Sequence, residues 1–378
     1  MSQQRERFAV WAFALCTTVL VGCGGDSTGP GAGNLSDPAG LSADMQSLQA
    51  PFEAPVLQSF DAVALSSAGT PTARLVSFLS AMSPQGKLPA ANGTLELRRS
   101  PAFRALRPAL STAPAFAVLP AEVLGSVYEW DPTSQQYVEG TGSGPANGVR
   151  FVLYAVNPLT RLPNEPLDPV GYADFLDESA GSTNRLRVQV IGDDAVTYAN
   201  YLVSGTAGAT SASASANGFI TDGTHQLDFT AQLGASDSDV TLNYTLDLND
   251  PDVSAALDIE LSFGTETAVI EHSFSLTRGS ETVVLDGTMT LTATGETYTA
   301  TANFTIHVNG GLFATISGSS ASGTAVSYTI TGPGGRALTT EERNAIERMF
   351  DAPSQLDALI TLLFEPLEEI FGGYGTSG

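Results

Sequence analysis

The chain contains few cysteine, lysine and histidine residues, and the scarcity of each limits the kinds of site that the protein can form. Its 378 residues include two cysteines, three histidines and 16 lysines and arginines together, against 40 aspartates and glutamates. Lys87 is the single lysine, so nearly all positive charge is arginine. Binding to nucleic acid or to an anionic lipid surface depends on clustered basic residues, so a formal net charge of −24 argues against both partners.

The first two dozen residues have the pattern of an export signal. Arg5 and Arg7 form a short positive region, and the run 8–21 that follows is apolar apart from two threonines. A membrane-spanning helix needs about 20 apolar residues, so this run is too short to span and fits the hydrophobic part of a secretory signal. Residues 1–22 are therefore predicted to be a signal peptide.

The signal ends in the sequence Leu20-Val21-Gly22-Cys23, which resembles the lipobox of bacterial lipoproteins. In that family, a branched aliphatic residue and two smaller residues precede a cysteine that receives lipid and becomes the new N-terminus. The resemblance implies a diacylglyceryl group on the sulfur of Cys23 and usually a further acyl chain, such as palmitate, on its amine. Each buried methylene contributes about 0.8 kcal/mol, so two or more chains anchor a protein stably. The alternatives are an ordinary signal peptide with a chance cysteine and an uncleaved anchor.

The location that this resemblance implies is the cell envelope. In one sorting pattern of the family, an aspartate directly after the cysteine retains the lipoprotein in the inner membrane. Gly24 occupies that position here, which favours the outer membrane in a host that has one. Removal of the signal also removes Cys16, and lipid occupies Cys23, so the mature chain is expected to have no free thiol. Disulfides, thiolate metal sites and cysteine catalysis are then excluded.

Composition and periodicity divide the rest of the chain into four parts. The parts are a flexible tether (23–40), a helical region (41–120), an antiparallel sheet region (121–333) and C-terminal helices (334–378). Residues 41–378 are expected to form one domain. Signal removal takes Arg5, Glu6 and Arg7, which leaves 14 basic and 39 acidic residues in the mature chain. An acidic surface of this kind supports solubility.

The helical predictions rest on apolar side chains at three- and four-residue steps. The first segment is 41–65, with a break expected at Pro51 and Pro55. Shorter helices are predicted at 72–82 and 100–110.

A further helical segment is predicted at the C-terminal end. Thr339 and Glu342 have the spacing of a capping box, in which each side chain bonds the other residue's backbone N–H. An apolar stripe follows and continues past Pro353 to Phe371. Pro366 is expected to kink this last piece.

From about Val123 the apolar spacing changes to every second residue, which indicates β-strands. The alternation is clearest from Asp239 to Thr331, where glycines lie between the runs, as tight turns require. Weaker strands are predicted before it, at 149–156, 186–191, 196–203 and 227–233. The stretch 205–218 consists largely of alanine, serine and glycine, and it is compatible with either a poorly packing strand or a loop.

A sheet with one apolar face must cover that face, and this chain has amphipathic helices at both ends. The predicted fold is therefore α+β: a curved antiparallel β-meander, either a half-barrel or a closed, barrel-like sheet. Its N- and C-terminal helices pack on the apolar face. Roughly ten strands are expected, near the upper end for open sheets.

The histidines and one acidic turn are the candidates for polar chemistry. His225 and His272 fall in the register of apolar residues, so together they are candidates for metal ligands or for a polar pocket, although a lone histidine there is more often hydrogen-bonded core. The turn 247–252, followed by Asp258 and Glu260, offers oxygen ligands for Ca²⁺ but lacks EF-hand spacing, and ordinary tight turns use the same residues.

No recognisable catalytic or cofactor-binding motif occurs in the sequence. There is no Gly-x-Ser-x-Gly elbow before a helix, no glycine-rich phosphate loop and no zinc-binding spacing. No catalytic residue, cofactor or metal site is therefore predicted, and an enzyme is the less favoured interpretation.

The leading functional hypothesis is a lipid-anchored envelope protein that binds or carries an apolar ligand such as a lipid. The predicted architecture is similar to that of lipid-carrying lipoproteins whose half-barrels enclose helices, and no residue motif adds to that likeness. The alternatives are a structural or interaction protein with a filled core and, less favoured, a hydrolase using His272 or His225. The predicted ligand-lining residues are Leu242, Tyr244, Leu257, Ile259, His272, Phe274, Leu285, Met289, Phe304 and Ile306.

Overall fold

The computed structural model describes residues 33–63, Leu119 and 121–349, except for short gaps at 182, 208–210, 237, 265–266, 295–296 and 322–326. The predicted signal peptide, Cys23, most of the predicted tether, the helices predicted at 72–82 and 100–110, and everything after residue 349 lie outside the described residues. Among the described helices, none is long and apolar enough to cross a membrane.

The described part of the chain folds mainly into β-structure. The strands are β1 (Val127–Asp131), β2 (Gln136–Glu139), β3 (Gly148–Tyr154), β4 (Pro169–Asp177), β5 (Asn184–Gly192), β6 (Thr197–Ala207), β7 (Ser211–Thr221), β8 (Gln226–Ser236), β9 (Asp239–Asn249), β10 (Asp252–Phe263), β11 (Thr267–Arg278), β12 (Glu281–Thr294), β13 (Thr297–Val308), β14 (Gly311–Ala321) and β15 (Ser327–Thr331). The α-helices are α1 (Pro38–Ser47), α2 (Pro55–Val63) and α3 (340–349), and 3₁₀ turns cover Ala50–Glu53, Ala121–Val123 and Pro333–Gly335.

All the described strands belong to one 15-stranded sheet, and from β3 to β15 each strand pairs with its neighbour in the sequence. These pairs are antiparallel, which confirms the predicted meander. The sheet is mixed because β1 pairs parallel with β3, and β2 forms the edge beyond it. The two ends of the strand order, β15 and β2, do not pair with each other. The sheet is therefore open, so the closed alternative is wrong, and the expected number of strands was too low.

Two strands that alternation did not reveal account for part of this shortfall. β4 contains Gly171 and Ala173, and β14 contains several glycine, alanine and serine residues; these small side chains weaken a period of two in hydrophobicity. Of the two alternatives for the small-residue stretch 205–218, the structure shows the strand, because the described residues of this stretch belong to β6 and β7.

The alternation of side chains gives the sheet one apolar face and one polar face, here called the outer face. In β9, every second residue is buried and the residues between them are half-buried or exposed; the buried ones are Val240, Leu242, Tyr244, Leu246 and Leu248. The outer face carries hydroxyl pairs between neighbouring strands, such as Ser204 with Ser215, whose oxygens are 2.8 Å apart. This arrangement confirms the predicted one-faced sheet.

Small residues on the apolar face fit between large ones. Gly218 lies in β7 directly between Tyr201 of β6 and Phe229 of β8. The two rings pack with their centroids 5.7 Å apart. A Cβ at Gly218 would lie 2.6 Å from the Cβ of Tyr201 and 2.2 Å from the carbonyl oxygen of Asn200, and the backbone φ is +157°, so a side chain cannot be accommodated here.

The N-terminal helices cover part of the apolar face. α2 packs on β3 to β6, and the ring of Phe60 stacks on that of Phe175 with 6.0 Å between centroids. The predicted break near Pro51 and Pro55 is confirmed, because α1 ends at Ser47 and α2 begins at Pro55.

Polar contacts fix the start of this segment against the sheet. Gly33 donates its N–H to the carbonyl of Leu312 in β14 at 2.9 Å. Arg278 Nη1 lies 3.0 Å from Asp44 Oδ2 of α1, and burial raises the pKa of the Asp44 carboxyl although the arginine opposes that shift. α1 begins at Pro38, capped by Asp37, so folded structure starts inside the segment predicted as tether.

The predicted capping box at α3 is present. Glu342 donates its N–H to Thr339 Oγ1 at 3.2 Å, and Thr339 donates its N–H to Glu342 Oε2 at 2.7 Å. The helix then buries Ala345, Ile346 and Met349 in the same core as the sheet and the N-terminal helices. At least the first part of the predicted C-terminal helical region therefore packs as expected.

We expect Phe175→Ala to lower the free energy of unfolding by about 3–5 kcal/mol, because it leaves a cavity between the sheet and α2. Phe175 is fully buried and its ring also meets Phe151 at 5.6 Å. Leu159→Ala is the matched control, since Leu159 is 94% exposed and its truncation should change stability by less than about 0.5 kcal/mol. Urea unfolding of the full chain measures both, and equal effects would contradict the packing described here.

Candidate functional site

The ten predicted ligand-lining residues lie together on the apolar face of five consecutive strands, β9 to β13. Direct cross-strand pairing places nine of them in two adjacent rows, and Met289 lies one step beyond the first row. The first row is Leu242, Ile259, His272 and Phe304; the second is Tyr244, Leu257, Phe274, Leu285 and Ile306.

Most of this surface is filled by the chain itself. Eight of the ten side chains are at most 4% exposed, and the two exceptions are Ile259 and His272, which are half-buried. Ile270 and Gly287, beside them on the same face, are half-buried too. We call Ile259, Ile270, His272 and Gly287 the His272 patch.

The patch is built around a residue that has no side chain. In the first row, Gly287 of β12 lies between His272 and Phe304. The Phe304 ring lies over this glycine, since a Cβ added there would be 2.3 Å from Phe304 Cδ1. Phe304 thereby meets the His272 ring edge to face, with 6.2 Å between centroids and an interplanar angle of 82°.

His272 is an uncharged polar group in apolar surroundings. Burial lowers the pKa of its imidazole to about 4, although a hydrogen bond to its own backbone carbonyl and the charge of Asp286 act in the opposite direction. Its Nδ1 atom is buried and has no hydrogen-bond partner among the described residues. A neutral imidazole has one nitrogen that accepts and one that donates a hydrogen bond.

His225 does not join His272, which corrects the expectation of an inward-facing pair. It lies in the turn before β8, whereas the residue of β8 in the His272 row is Leu233. Eight residues separate these two positions, roughly 26 Å along an extended strand. A shared metal site is therefore wrong, and no group of histidine, cysteine and acidic side chains in the described ranges could hold a metal ion.

The ring of His225 is part of a hydrogen-bonded turn. Asp222 Oδ2 lies 2.8 Å from His225 Nδ1, and Asp222 Oδ1 accepts the backbone N–H groups of Thr224 and His225. The hydrogen bond to the Asp222 carboxylate raises the pKa of His225.

The hydrolase hypothesis requires a nucleophile beside one of these rings. Asp222 supplies a carboxylate at His225, but within the described part of the chain no hydroxyl group is bonded to that ring. The serine next to His272 in sequence, Ser273, points to the outer face and donates to Asp286. Among the described residues, His225 belongs to a hydrogen-bonded turn and His272 packs among apolar side chains, and no hydroxyl nucleophile is bonded to either ring.

The acidic turn considered for calcium is an ordinary strand connection. Asn249 Oδ1 accepts the backbone N–H of Gln226 at 2.8 Å, which joins this turn to the one beside it. Asp258 and Glu260 lie farther along β10 on the outer face, where both are exposed. The oxygens thus do not converge on one point.

Sequence reasoning missed two members of the His272 patch, Ile270 and Gly287. The signal for Gly287 was present, because it takes the place of a large apolar residue in the alternation of Val283, Leu285 and Met289. A single small residue in such a series marks either a bulge or close approach of a neighbour.

Comparison with known proteins gives no match: no family model, no curated protein and no solved structure is similar to this chain.

Burial of His272 should make stability depend on pH. The unfolded chain binds a proton at this residue near pH 6.5 and the folded chain only near pH 4, so between these values the unfolded state holds more protons. Stability should therefore fall as the pH drops from 6.5 to 4, by up to about 3 kcal/mol. In His272→Leu this loss should be absent.

His225→Gln is the matched control for this prediction. The pKa of His225 is raised in the folded chain, so the contribution of this residue to stability is present below pH 6.5 and is lost as the pH rises through the raised pKa. This pH dependence is opposite in direction to that of His272. Urea unfolding of the full chain between pH 4.5 and 8 measures both variants. If stability changed with pH in His272→Leu as it does in the parent protein, the burial of an uncharged ring at His272 would be contradicted.

Proposed function

We propose that this protein is a lipid-anchored component of the cell envelope that binds an apolar ligand, such as a lipid, at the apolar face of its sheet. The anchor rests on the lipobox-like sequence that ends at Cys23, and Gly24 favours the outer membrane in a host that has one. The binding activity rests on the sheet itself.

The observation that carries the binding proposal is the uneven burial of the ten lining residues. The apolar face is closed over Leu242, Tyr244 and Phe274 and remains half-open at Ile259 and His272, in the middle of the same surface. Ligand sites are mostly apolar with a few convergent polar groups, and the His272 patch has this composition. A hydrocarbon chain that enters there would contact isoleucine side chains and the exposed part of the imidazole.

A filled-core structural protein is the second candidate, and a specific observation favours it. Eight of the ten lining residues are at most 4% exposed, as expected when side chains of the same chain fill the space. In that case the outer face would contact other envelope components. That face offers hydroxyl pairs such as Thr206 with Ser213 and Thr315 with Thr331, at 2.8 and 2.9 Å.

Lipidation should depend on one of the two cysteines. Cells supplied with an alkyne analogue of palmitate should label the full-length protein, and Cys23→Ala should abolish the label and leave the protein as its unprocessed precursor. Cys16→Ala is the matched control, since it also removes a cysteine from the signal region and should be labelled as the parent is. A label that persists in Cys23→Ala would overturn the proposed anchor.

Native mass spectrometry distinguishes the two candidate functions. The full chain, purified from its own envelope in a mild non-ionic detergent, should carry a lipid of reproducible mass that denaturation releases. Ile259→Trp should reduce this occupancy strongly, because the indole would fill the His272 patch. Thr245→Trp adds the same ring at an exposed position of the outer face and should retain the lipid. Absence of any adduct, or equal adducts in all three proteins, would favour the filled-core candidate.

A further inference from the structure

Charge is distributed unevenly along the sheet. Residues 127–263, which include β1 to β10, contain 19 acidic residues and four arginines, so this part has a net charge of −15. The run 297–335, which includes β13 to β15, contains no aspartate, glutamate, lysine or arginine. The segment 336–349 that follows has three arginines and three glutamates and adds no net charge. The last three strands therefore form the uncharged end of a strongly acidic sheet.

The outer face of this uncharged end presents hydroxyl and amide groups. Asn303, Ser317 and Thr329 lie side by side on β13, β14 and β15, and Thr301 lies beside Ser319 in the neighbouring row. All five residues are exposed. Hydroxyl and amide groups both donate and accept hydrogen bonds, so they can contact phosphate and ester oxygens without bringing a negative charge of their own.

The N-terminal segment joins the sheet at the same end. Gly33 donates its N–H to the carbonyl of Leu312 at 2.9 Å, and a Cβ added to Gly33 would lie 2.4 Å from the carbonyl oxygen of Gly311, so Gly33 lies against the start of β14. Cys23 precedes Gly33 by ten residues. Ten residues of fully extended chain span at most about 36 Å. A lipid on Cys23 therefore holds the uncharged end of the sheet close to the bilayer.

The acidic end of the sheet lies much farther from this attachment. The strand order places β2 and β15 at opposite edges of the 15-stranded sheet. Neighbouring strands are roughly 4.8 Å apart, so about 67 Å separates the two edges when measured along the sheet. The tether can thus bring β13 to β15 to the membrane while β1 to β4 stay away from it.

Electrostatic repulsion favours the same orientation. Anionic lipids give a membrane a negative surface potential, which falls off within a Debye length of about 8 Å at physiological salt. The part of the sheet with a net charge of −15 is repelled when it comes that close, whereas the uncharged run 297–335 is not. Tether and charge therefore act in the same direction.

We propose that the outer face of β13 to β15 docks on the headgroup layer of the membrane that holds the lipid of Cys23, and that β1 to β10 are directed away from it. This inference rests on the proposed lipid anchor and adds the surface by which the protein lies on its membrane. The partner is a lipid headgroup surface, and the contact is made by uncharged hydroxyl and amide groups.

Three single-cysteine variants report the orientation. Thr329→Cys in β15 and Val138→Cys in β2 place a thiol at exposed positions of the two edge strands, and Thr245→Cys in β9 lies between them. Because Cys23 carries lipid and Cys16 leaves with the signal, each new thiol is the single site for a fluorophore. The full lipidated chain is placed in nanodiscs that contain phosphatidylglycerol and a lipid with rhodamine on its headgroup.

Energy transfer from each fluorophore to rhodamine measures its closeness to the headgroup layer. Transfer should be strongest at Thr329, weaker at Thr245 and weakest at Val138. The first value should exceed the last by about twofold or more, because about 67 Å of sheet separates the two edge strands.

Acidic substitutions distinguish docking from tethering alone. Thr299→Asp combined with Ser317→Asp adds two charges to exposed outer-face positions of β13 and β14. In phosphatidylglycerol nanodiscs this change should lower transfer at Thr329 about twofold, and 1 M salt should restore it, because the Debye length falls to about 3 Å. Phosphatidylcholine nanodiscs, which have no net charge, should show no such loss.

The matched control adds the same charge at the part of the sheet that is directed away from the membrane. Gln136→Asp in β2 combined with Thr245→Asp in β9 also changes two exposed residues. Transfer at Thr329 should stay at the parent value in this variant.

The outcomes separate the docking surface from the anchor on which it rests. If the parent chain is not retained on nanodiscs, the lipid anchor itself fails. If it is retained but transfer is equal at the three positions, or the two aspartates at 299 and 317 change nothing, the anchor stands and the docking surface is overturned. Self-quenching at Thr329 that unlabelled protein relieves would show that this edge pairs with a second copy, which also overturns the membrane assignment.

Discussion

The whole structure depends on one constraint, which is that a sheet with a single apolar face must be covered. From β3 to β15, side chains point alternately to the apolar face and to the outer face, so every strand contributes to the same apolar face. The chain meets this demand with helices from both sides of the sheet in sequence: α1 and α2 come before it, and α3 comes after it. Ring stacking of Phe60 on Phe175 and the Arg278–Asp44 ion pair hold the first of these covers in place.

Glycine adapts this surface to large rings at two positions, with different results. At Gly218 the flanking rings of Tyr201 and Phe229 pack against each other and are at most 4% exposed, although the glycine itself is half-buried. At Gly287 one of the two flanking residues is His272, and the gap stays half-open beside an unpaired nitrogen. The two positions thus differ in their flanking residues, which are both buried at Gly218, whereas at Gly287 one of them, His272, is half-buried.

Sequence reasoning recovered the parts of the fold that local patterns determine. The break between α1 and α2, the Thr339–Glu342 cap and the meander each depend on residues close together in sequence. Whether the sheet closes depends on how far its strands curve, which no local pattern shows. The number of strands was underestimated because strands made of small residues, such as β14, carry little periodic signal.

The site was predicted as a row of large apolar residues, whereas its distinguishing feature is Gly287, which allows Phe304 to reach across. The orientation of His225 was wrongly predicted because the alternation of β8 extends, in sequence, to a residue before the strand begins, and that residue lies in a turn closed by Asp222.

The order of the strands also has a consequence for how the protein acquires its structure. Because each strand from β3 to β15 pairs with the one before it in the chain, nearly all long strand contacts are between sequence neighbours. Such local topologies reduce the loop-closure entropy that slows most all-β proteins. The sheet can therefore grow hairpin by hairpin as the polypeptide emerges from a narrow exit, with α1 and α2 already synthesised as a template for its apolar side. Of the described helices, α3 is the one that has to wait until synthesis of the sheet is complete.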